Sequence, residues 1–261
     1  MHIKPKKRLG QNFLTDKNIQ RKIIDCLQLK PSDIVLEIGS GRGELTGLIA
    51  QKTEKIYALE IDNDLCQVLK DNLKDRLNIE IINQNILKFN LRKHFNRIER
   101  RIKVTGNIPY YISSPIIEYL IKYRDKIDAV FITVQKEFAR RMTAVPGSKL
   151  YGAFSCFVQY YFEPKIVLNI KKTCFFPMPK VDSSLVRLEI RPRPPVGLKD
   201  EKFFFKIIRA SFNYRRKTLR NSLASIISRK KLESFFHKYG IDRNIRPERL
   251  CLQDFANLVN A

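Results

Sequence analysis

The sequence predicts an α/β protein, with a helix-covered parallel sheet in its N-terminal part and a small all-α domain at its C-terminal end. Short apolar runs alternate with helix-like segments up to about residue 190, and helical periodicity dominates after residue 200. Such alternation is typical of a parallel sheet covered on both faces. The proline-rich run at 191–195 marks the break, since proline continues neither a strand nor a helix interior.

The elements follow from these patterns in chain order. Strands are predicted at 34–38, 55–61, 79–82, 102–105, 128–134, 165–170 and 184–190, the last two forming an antiparallel addition at the sheet edge. Helices are predicted at 44–52 and 64–76, then at 203–212, 218–227, 232–239 and 253–259. We therefore predict a first domain over residues 1–190, a linker over 191–199 and a helical domain over 200–261.

Composition narrows the class of protein. The chain has 261 residues, of which 44% are hydrophobic, so it can bury a core and is not disordered overall. Its longest apolar runs are far shorter than a membrane-spanning helix, and no apolar stretch follows the basic start. Fifty Lys and Arg against 26 Asp and Glu give a net charge of +24. This excess predicts a polyanionic partner, most often nucleic acid and less often an anionic membrane surface.

The cysteines and histidines do not form a metal-binding pattern. The five cysteines are widely separated, no Cys-x-x-Cys pair occurs, and the three histidines are scattered. We expect reduced, mostly buried thiols, no metal and a cytoplasmic location.

A glycine-rich turn follows the first predicted strand. Gly39, Gly41 and Gly43 permit a tight turn and a close approach of the backbone to a ligand. Glu60 ends the second predicted strand, where a carboxylate can accept hydrogen bonds from both hydroxyls of a ribose. Together they predict a Rossmann-like nucleoside site. The spacing Glu37-x-Gly-x-Gly-x-Gly resembles motif I of the class I S-adenosylmethionine-dependent methyltransferases, and we expect a class I methyltransferase sheet.

The run Asn107-Ile108-Pro109-Tyr110 follows the fourth predicted strand. It resembles the (N/D/S)-(I/L/P)-P-(Y/F) signature of methyltransferases that act on amino groups of nucleic-acid bases. An exocyclic adenine amine is a weak nucleophile because its lone pair is delocalised into the ring, so acceptors must hold its two N–H groups. The Asn107 side-chain oxygen and the Pro109 carbonyl can be those acceptors. Tyr110 can stack on the base.

Four longer segments are similar to the KsgA family, the small-subunit rRNA adenine dimethyltransferases. They are KRLGQNFL at 7–14, NIPYYISSP at 107–115, FFPMPKVDS at 175–183 and FNYRRKTLRNSL at 212–223, in the family's order. The resemblance implies methyl transfer from S-adenosylmethionine to N6 of two adjacent adenosines in the hairpin loop near the 3′ end of small-subunit (16S) rRNA. The product would be N6,N6-dimethyladenosine, and the partner an assembling small ribosomal subunit.

The resemblance also implies the residues of the site. The implied cofactor contacts are Asn12 and Leu14 through backbone groups, Gly39 with Gly41 in the same turn, Glu60 at the ribose, Asn85 at the adenine, and Asn107. The implied catalytic residues are Asn107, Pro109, Tyr110 and Phe175, the last on the other face of the target adenine. Its neighbour Phe176 is the alternative.

Two positions depart from the family pattern. Asn85 stands where the family commonly has Asp, and an amide still offers a carbonyl acceptor but no charge, so we expect weaker cofactor binding. Tyr111 stands where Asn is usual. A larger aromatic there can change the shape of the target pocket, which leaves open the balance between one and two methyl transfers.

Two clusters of basic residues are candidate RNA contacts. Arg215, Arg216, Lys217 and Arg220 lie close to the aromatic residues at 212 and 214, a composition that suits an RNA backbone, and a solvated helix face is the alternative. The cluster at 92–101 lies in no recognised motif, and we expect a solvated loop there.

Two other functions stay open at this stage. One is the related large-subunit (23S) rRNA adenine-N6 methyltransferase of the macrolide-resistance type, which shares the glycine turn and the 107–110 run. The other is a non-catalytic RNA-binding factor of ribosome assembly. We expect a monomer, because no self-complementary apolar stripe is left over.

Overall fold

The chain forms one seven-stranded sheet and one two-stranded ladder, in a computed structural model that describes residues 4–214 and 216–260. The strands are β1 (Phe13–Leu14), β2 (Ile34–Ile38), β3 (Lys55–Glu60), β4 (Ile79–Asn83), β5 (Ile102–Asn107), β6 (Ile127–Gln135), β7 (Phe162–Ile170), β8 (Phe175–Phe176) and β9 (Ser183–Ile190). The large sheet has the order β4-β3-β2-β5-β6-β9-β7, and β1 pairs with β8.

The sheet has the predicted character. Strands β4, β3, β2, β5 and β6 are parallel, and β9 runs antiparallel to β6. Every residue of β2 is buried, as expected of a strand covered on both faces, and its bounds match the predicted 34–38. The other strands of the large sheet lie within three residues of their predicted bounds at either end. The α/β prediction is therefore confirmed.

The strand order creates a crevice at one edge of the sheet. From β2 the chain moves outward to β3 and β4, then returns to add β5 on the opposite side of β2. The connections that lead to β3 and to β5 therefore lie on opposite sides of β2, which leaves a crevice beyond the carboxyl end of β2. Ligands of open α/β sheets bind at such switch points. The glycine turn follows β2 here, and Asn107 ends β5.

The helices are α1 (Lys17–Cys26), α2 (Glu44–Ala50), α3 (Asn63–Asn72), α4 (Leu91–His94), α5 (Ser113–Lys122), α6 (Lys136–Met142), α7 (Ala153–Tyr161), α8 (Glu201–Phe212), α9 (Leu219–Leu223), α10 (Arg229–Tyr239) and α11 (Leu252–Asn260). Helix α9 is shorter than the predicted 218–227. The amides of Ile226 and Ile227 both donate to the carbonyl of Leu223, so a tight turn replaces the last helical turn.

The chain divides into two compact units. The first unit consists of the residues up to Ala139 and of Lys165–Ile190. The second consists of Arg140–Pro164 and of the residues from Arg191 onward. The sequence prediction placed 140–164 in the first domain and treated 191–199 as a linker. In the structure, one core buries Tyr151 and Tyr160 of 140–164 together with Val196 of 191–199. The same core contains Phe204 and Phe235 of the helices. Apolar contacts therefore group both segments with the helices.

Candidate active site

A cavity opens at the carboxyl ends of β2, β3, β4 and β5, within the first unit. Five segments provide most of its lining, namely residues 9–14, 37–41, 59–61, 84–87 and 107–112. These segments include nine of the predicted site residues: Asn12, Leu14, Gly39, Gly41, Glu60, Asn85, Asn107, Pro109 and Tyr110. The fold therefore brings together residues that are up to 98 positions apart in the sequence (110 − 12).

The glycine turn is held in a conformation that favours glycine. Gly39 and Gly41 have φ angles of 72° and 60°, in the left-handed region where a side chain is strained. A Cβ on Gly41 would also lie 3.3 Å from the Phe13 ring. The amide of Gly41 donates to Glu60 Oε2 at 2.9 Å, so the turn and the end of β3 are joined directly.

Glu60 is buried and bonded on both carboxylate oxygens. Its Oε1 accepts from the amides of Ile61 and Asp62 at 2.9 Å each, and its Oε2 accepts from Gly41. Burial raises the pKa of this carboxyl above its usual value, against the effect of these amides. Carboxylate oxygens have further lone pairs, so Glu60 can still accept bonds from ribose hydroxyls while its orientation is fixed.

Glu37 is a second buried acid of the cavity wall. Burial raises its pKa to about 7, although a hydrogen bond from the Thr46 hydroxyl on α2 opposes the shift. Glu44 also lines the cavity, and burial raises its pKa as well. The wall therefore contains three carboxyl groups close to the glycine turn.

The segment from Lys6 to Leu14 covers one side of the cavity and is fixed by polar contacts. Asn107 Nδ2 donates to the carbonyl of Asn12 at 2.7 Å. Lys6 Nζ lies 2.6 Å from Asp62 Oδ1, and Gln11 Nε2 donates to Asp62 Oδ2 at 2.8 Å. This role of Lys6, Gln11 and Asp62 could not be predicted from the sequence, because Asp62 is 56 positions from Lys6 and 51 from Gln11.

The amide of Asn107 is oriented by its contact with Asn12. Since Nδ2 donates to that carbonyl, Oδ1 is the acceptor left for a ligand. The Pro109 carbonyl accepts from the amide of Ile112 at 3.1 Å and, more weakly, from the Ser113 hydroxyl at 3.4 Å. A carbonyl has two lone pairs, and a hydroxyl can rotate away, so Pro109 retains one acceptor position.

Asn85 uses its side-chain oxygen within the protein. Its Oδ1 accepts from the amide of Leu87 at 2.9 Å and caps the short helical turn at Ile86–Lys88. The expected carbonyl acceptor therefore has one lone pair left for a ligand, and the amide NH₂ remains as a donor.

The structure does not bring Phe175 to the cavity. Its side chain is 3% exposed and packs in the core with Leu14, whereas Phe176 is 56% exposed. Register explains the difference, because Phe175 is paired with Leu14 and Phe176 with Phe13, and adjacent residues of a strand point to opposite faces. Tyr111 is 61% exposed and lines the cavity beside Gly10.

Gly106 is a site residue that sequence reasoning missed. A Cβ there would lie 2.4 Å from the carbonyl oxygen of Ile38, on the neighbouring strand β2. The two strands that carry the glycine turn and Asn107 thus approach each other as only glycine allows. An isolated glycine before Asn107 was the signal available in the sequence.

Two other findings concern the described residues, 4–214 and 216–260. Among them, no group of three or more His, Cys, Asp or Glu side chains is arranged to hold a metal ion. No helix in this part of the chain has the length and apolar character needed to cross a membrane.

Comparisons with known proteins agree with this geometry. A relative from Streptococcus pneumoniae strain P1031, named ribosomal RNA small subunit methyltransferase A, is 40% identical, and the match covers 98% of this chain and 91% of the relative. One of the same name from Alkaliphilus metalliredigens is also 40% identical, with 97% and 90% covered.

Two solved structures share the fold over nearly the whole chain. A dimethyladenosine transferase from Plasmodium falciparum has a TM-score of 0.77 at 26% identity, covering 94% of this chain and 95% of its own. The 23S rRNA methyltransferase ErmE has a TM-score of 0.77 at 25% identity, covering 95% and 98%.

The family profile described as ribosomal RNA adenine dimethylase matches residues 2–261. With a match over almost all of the sequence, and with relatives at 40% identity over almost all of their length, the chain belongs to the ribosomal RNA adenine dimethylase family.

Proposed function

We propose that this enzyme transfers methyl groups to N6 of two adjacent adenosines in the hairpin loop near the 3′ end of small-subunit rRNA, giving N6,N6-dimethyladenosine. The observation that carries the proposal is the paired acceptor arrangement of Asn107 and Pro109 at the edge of a nucleoside-type cavity. The names of the 40% identical relatives support the small subunit as the source of the substrate.

The cavity fits S-adenosylmethionine by the chemistry of its walls. The glycine turn leaves space for a ligand, since the nearest atom to a Cβ on Gly39 would be 3.7 Å away. Glu60 suits a ribose, and the positive charge of a sulfonium would favour the ionised forms of Glu37 and Glu44, which burial alone disfavours. When bound, S-adenosylmethionine supplies an electrophilic methyl group.

The residues of this chain perform the rest by positioning. Asn107 Oδ1 and the Pro109 carbonyl would each accept an N–H of the adenine amine, which directs the nitrogen lone pair toward the methyl group. The amine loses a proton to solvent once it is alkylated, so no strong base is needed. Rate enhancement then comes from alignment and electrostatics, which are worth several kcal/mol in such sites.

Aromatic side chains would hold the extruded base. Tyr110 lines the cavity and would stack on one face of the adenine. For the other face we proposed Phe175 from the family resemblance, but its ring would have to leave the core to reach the base. Phe176 is exposed, so its ring need not leave the core to reach the base.

The RNA would be held by cations that have no acidic partner. Arg92 and Arg100 of the 92–101 cluster form ion pairs with Asp125 and Glu54, which supports a structural role for them. In the second unit, Lys202, Lys206 and Arg209 lie on one face of α8 and line a surface groove.

These three cations form no ion pair within 4.0 Å among the described residues. Arg216 and Lys217, a few positions after α8, are exposed as well. Arg215, which was also predicted to contact RNA, lies outside the described residues.

We propose that the protein acts as a monomer in the cytoplasm on assembling small subunits.

The decisive experiment is a methyl-transfer assay with labelled S-adenosylmethionine. Unmethylated small subunits and large-subunit rRNA would be tested in parallel, then digested to nucleosides for mass spectrometry. We expect N6,N6-dimethyladenosine from the small subunit alone. Product from the large-subunit rRNA would instead support the specificity named for ErmE, and RNA binding without product would support an assembly factor.

Replacing Asn85 by Asp is expected to tighten cofactor binding about fivefold. One carboxylate oxygen would keep the bond to Leu87, and the other would offer the charged acceptor that adenine's amine requires, a gain on the order of 1 kcal/mol. Calorimetric titration with S-adenosylmethionine measures the change. Asn90→Asp is the matched control, because Asn90 caps α4 in the same way and lies outside the cavity. If both variants bound S-adenosylmethionine equally more tightly, the added negative charge would be acting at long range and not through a bond to the adenine.

Replacing Lys202, Lys206 and Arg209 by Gln is expected to weaken RNA binding and flatten its salt dependence. Each lost phosphate contact lowers the slope of log K against log salt by about 0.7–0.9, so the slope of the triple variant should fall by about 2.1–2.7. Binding to a small-subunit rRNA fragment would be measured from low to high salt. The control removes the same charge from exposed Lys93, Arg97 and Arg101. Equal slopes for both variants would contradict a specific role for α8.

A further inference from the structure

Tyr110, the candidate base-stacking residue, is anchored by its hydroxyl group. The hydroxyls of Tyr110 and Ser183 share a hydrogen bond at 2.8 Å. The two residues are 73 positions apart, and the Ser183 side chain is completely buried, so its hydroxyl has no access to solvent. A buried serine hydroxyl is costly unless it is bonded, and Tyr110 is the partner that the structure gives it.

Ser183 is itself held rigidly. It is the first residue of β9 and pairs with Gln135 at the end of β6, in an antiparallel ladder that continues to Ala129 and Glu189. The preceding residue is fixed as well, because the Asp182 carbonyl accepts from the amide of Lys136 at 3.0 Å. The serine hydroxyl is therefore attached to the most regular part of the sheet.

Tyr110, in contrast, is the first residue of a short helical turn beyond the end of β5. Its backbone is stabilised by the turn at Pro109 and by the bond from the amide of Ile108 to the carbonyl of Thr133 at 3.0 Å. These contacts fix the backbone but leave rotation about the side-chain bonds. The bond at the far end of the phenol restricts that rotation, because the hydroxyl oxygen is within reach of Ser183 Oγ only when the ring points toward the start of β9.

We propose that Ser183 is a positioning residue for the target adenine, acting through the hydroxyl of Tyr110. A side chain that already points in one direction loses less conformational entropy when the base binds, so stacking places the amine next to its acceptors more often. The hydroxyl is thus needed for alignment, while the aromatic face makes the contact. This inference rests on the proposed function and deepens it by assigning a role to a residue outside the cavity lining.

A double-mutant cycle tests the proposal from both ends of the bond. Ser183→Ala, Tyr110→Phe and the double variant would be assayed for methyl transfer to unmethylated small subunits. Each single change removes the same hydrogen bond, so we expect a similar loss of about 3- to 10-fold in kcat. The double variant should lose no more than either single one. Multiplying losses, or an unchanged kcat in Ser183→Ala, would overturn the proposal.

Ser184→Ala is the matched control. Ser184 is equally buried, belongs to the same strand, and bonds through its hydroxyl to Asn169 Oδ1 at 2.9 Å, away from Tyr110. It should keep the kcat of the wild type, and thermal unfolding would show whether the two serine variants are equally stable. If Ser183→Ala does not fold, Tyr110→Phe still removes the bond from the other side. Equal losses of kcat in the two serine variants would mean that Ser183 acts through stability alone.

A binding readout separates this proposal from the proposed function. A small-subunit hairpin with 2-aminopurine at the target position reports the environment of the base through its fluorescence. We expect quenching on binding to the wild type and reduced quenching with Ser183→Ala, at equal affinity. Equal quenching in both would overturn the positioning role. A wild-type enzyme that binds this RNA but makes no product from small subunits would instead count against the proposed function.

Discussion

Replacing Asn107 by Ala is expected to lower the kcat for methyl transfer by about 10²- to 10³-fold, the loss typical of removing one preorganised group that acts on the reacting atoms. The side-chain oxygen is one of two acceptors for the adenine amine. The Pro109 carbonyl cannot replace it, because one of its lone pairs accepts from Ile112 and the other is needed for the second N–H of the amine. RNA binding should be largely retained. The measurement is single-turnover transfer together with RNA affinity.

The substitution Asn107→Asp separates the two roles of this side chain. A carboxylate keeps the acceptor for the amine but cannot donate to the Asn12 carbonyl, which Asn107 Nδ2 does at 2.7 Å. We expect Asn107→Asp to keep more activity than Asn107→Ala, and to bind S-adenosylmethionine more weakly than the wild type. If Asn107→Ala lost RNA binding and transfer to the same extent, the catalytic assignment would be wrong.

Replacing Gly106 by Ala is expected to destabilise the first unit by about 3 kcal/mol or more, near the upper end of overpacking effects in cores. The added Cβ would lie 2.4 Å from the Ile38 carbonyl oxygen and 3.1 Å from the Ile38 Cβ. Both groups belong to strand β2, which is paired on both sides, so neither can move aside without breaking the sheet. Urea denaturation measures the free energy of unfolding.

The control for this prediction is Gly197→Ala. A Cβ at Gly197 would meet no atom within 4 Å, and its φ is compatible with alanine, so a change within about 0.5 kcal/mol is expected. Equal unfolding midpoints for the two variants would contradict the close approach of β2 and β5 at Gly106.

The parts of the fold that could be predicted are those determined by short stretches of neighbouring residues. Strand β2 was predicted to the residue, because a short apolar run between a turn and a glycine cluster has few other interpretations. The candidate residues at 37–41, 60 and 107–110 lie at or just beyond the carboxyl ends of strands, and parallel strands bring these ends to one edge of the sheet. The wall of the cavity could therefore be assembled from local patterns together with the family resemblance.

What could not be predicted depends on long-range pairing. Strands β1 and β8 have two residues each, too few to show a period, yet their register decides that Phe176 is exposed and Phe175 is buried. The bond of Asn85 to Leu87 is local, but residue type alone does not show which end of the amide is engaged. The bond between Tyr110 and Ser183 joins residues from separate motifs that are adjacent only in three dimensions.

The pairing of β1 with β8 has a consequence for how the protein is made. Thr15 donates to the carbonyl of Cys174, a residue 159 positions further along the chain, and the covering segment from Lys6 to Leu14 leads into this contact. A chain emerging from the ribosome can assemble β2 to β6 long before residue 174 exists. Strand β1, at the end of the segment that covers the cavity, is thus synthesised before the sheet but is paired only after the sheet. The β1–β8 ladder, which pairs the cavity residues Phe13 and Leu14, is therefore completed only when synthesis has passed β8.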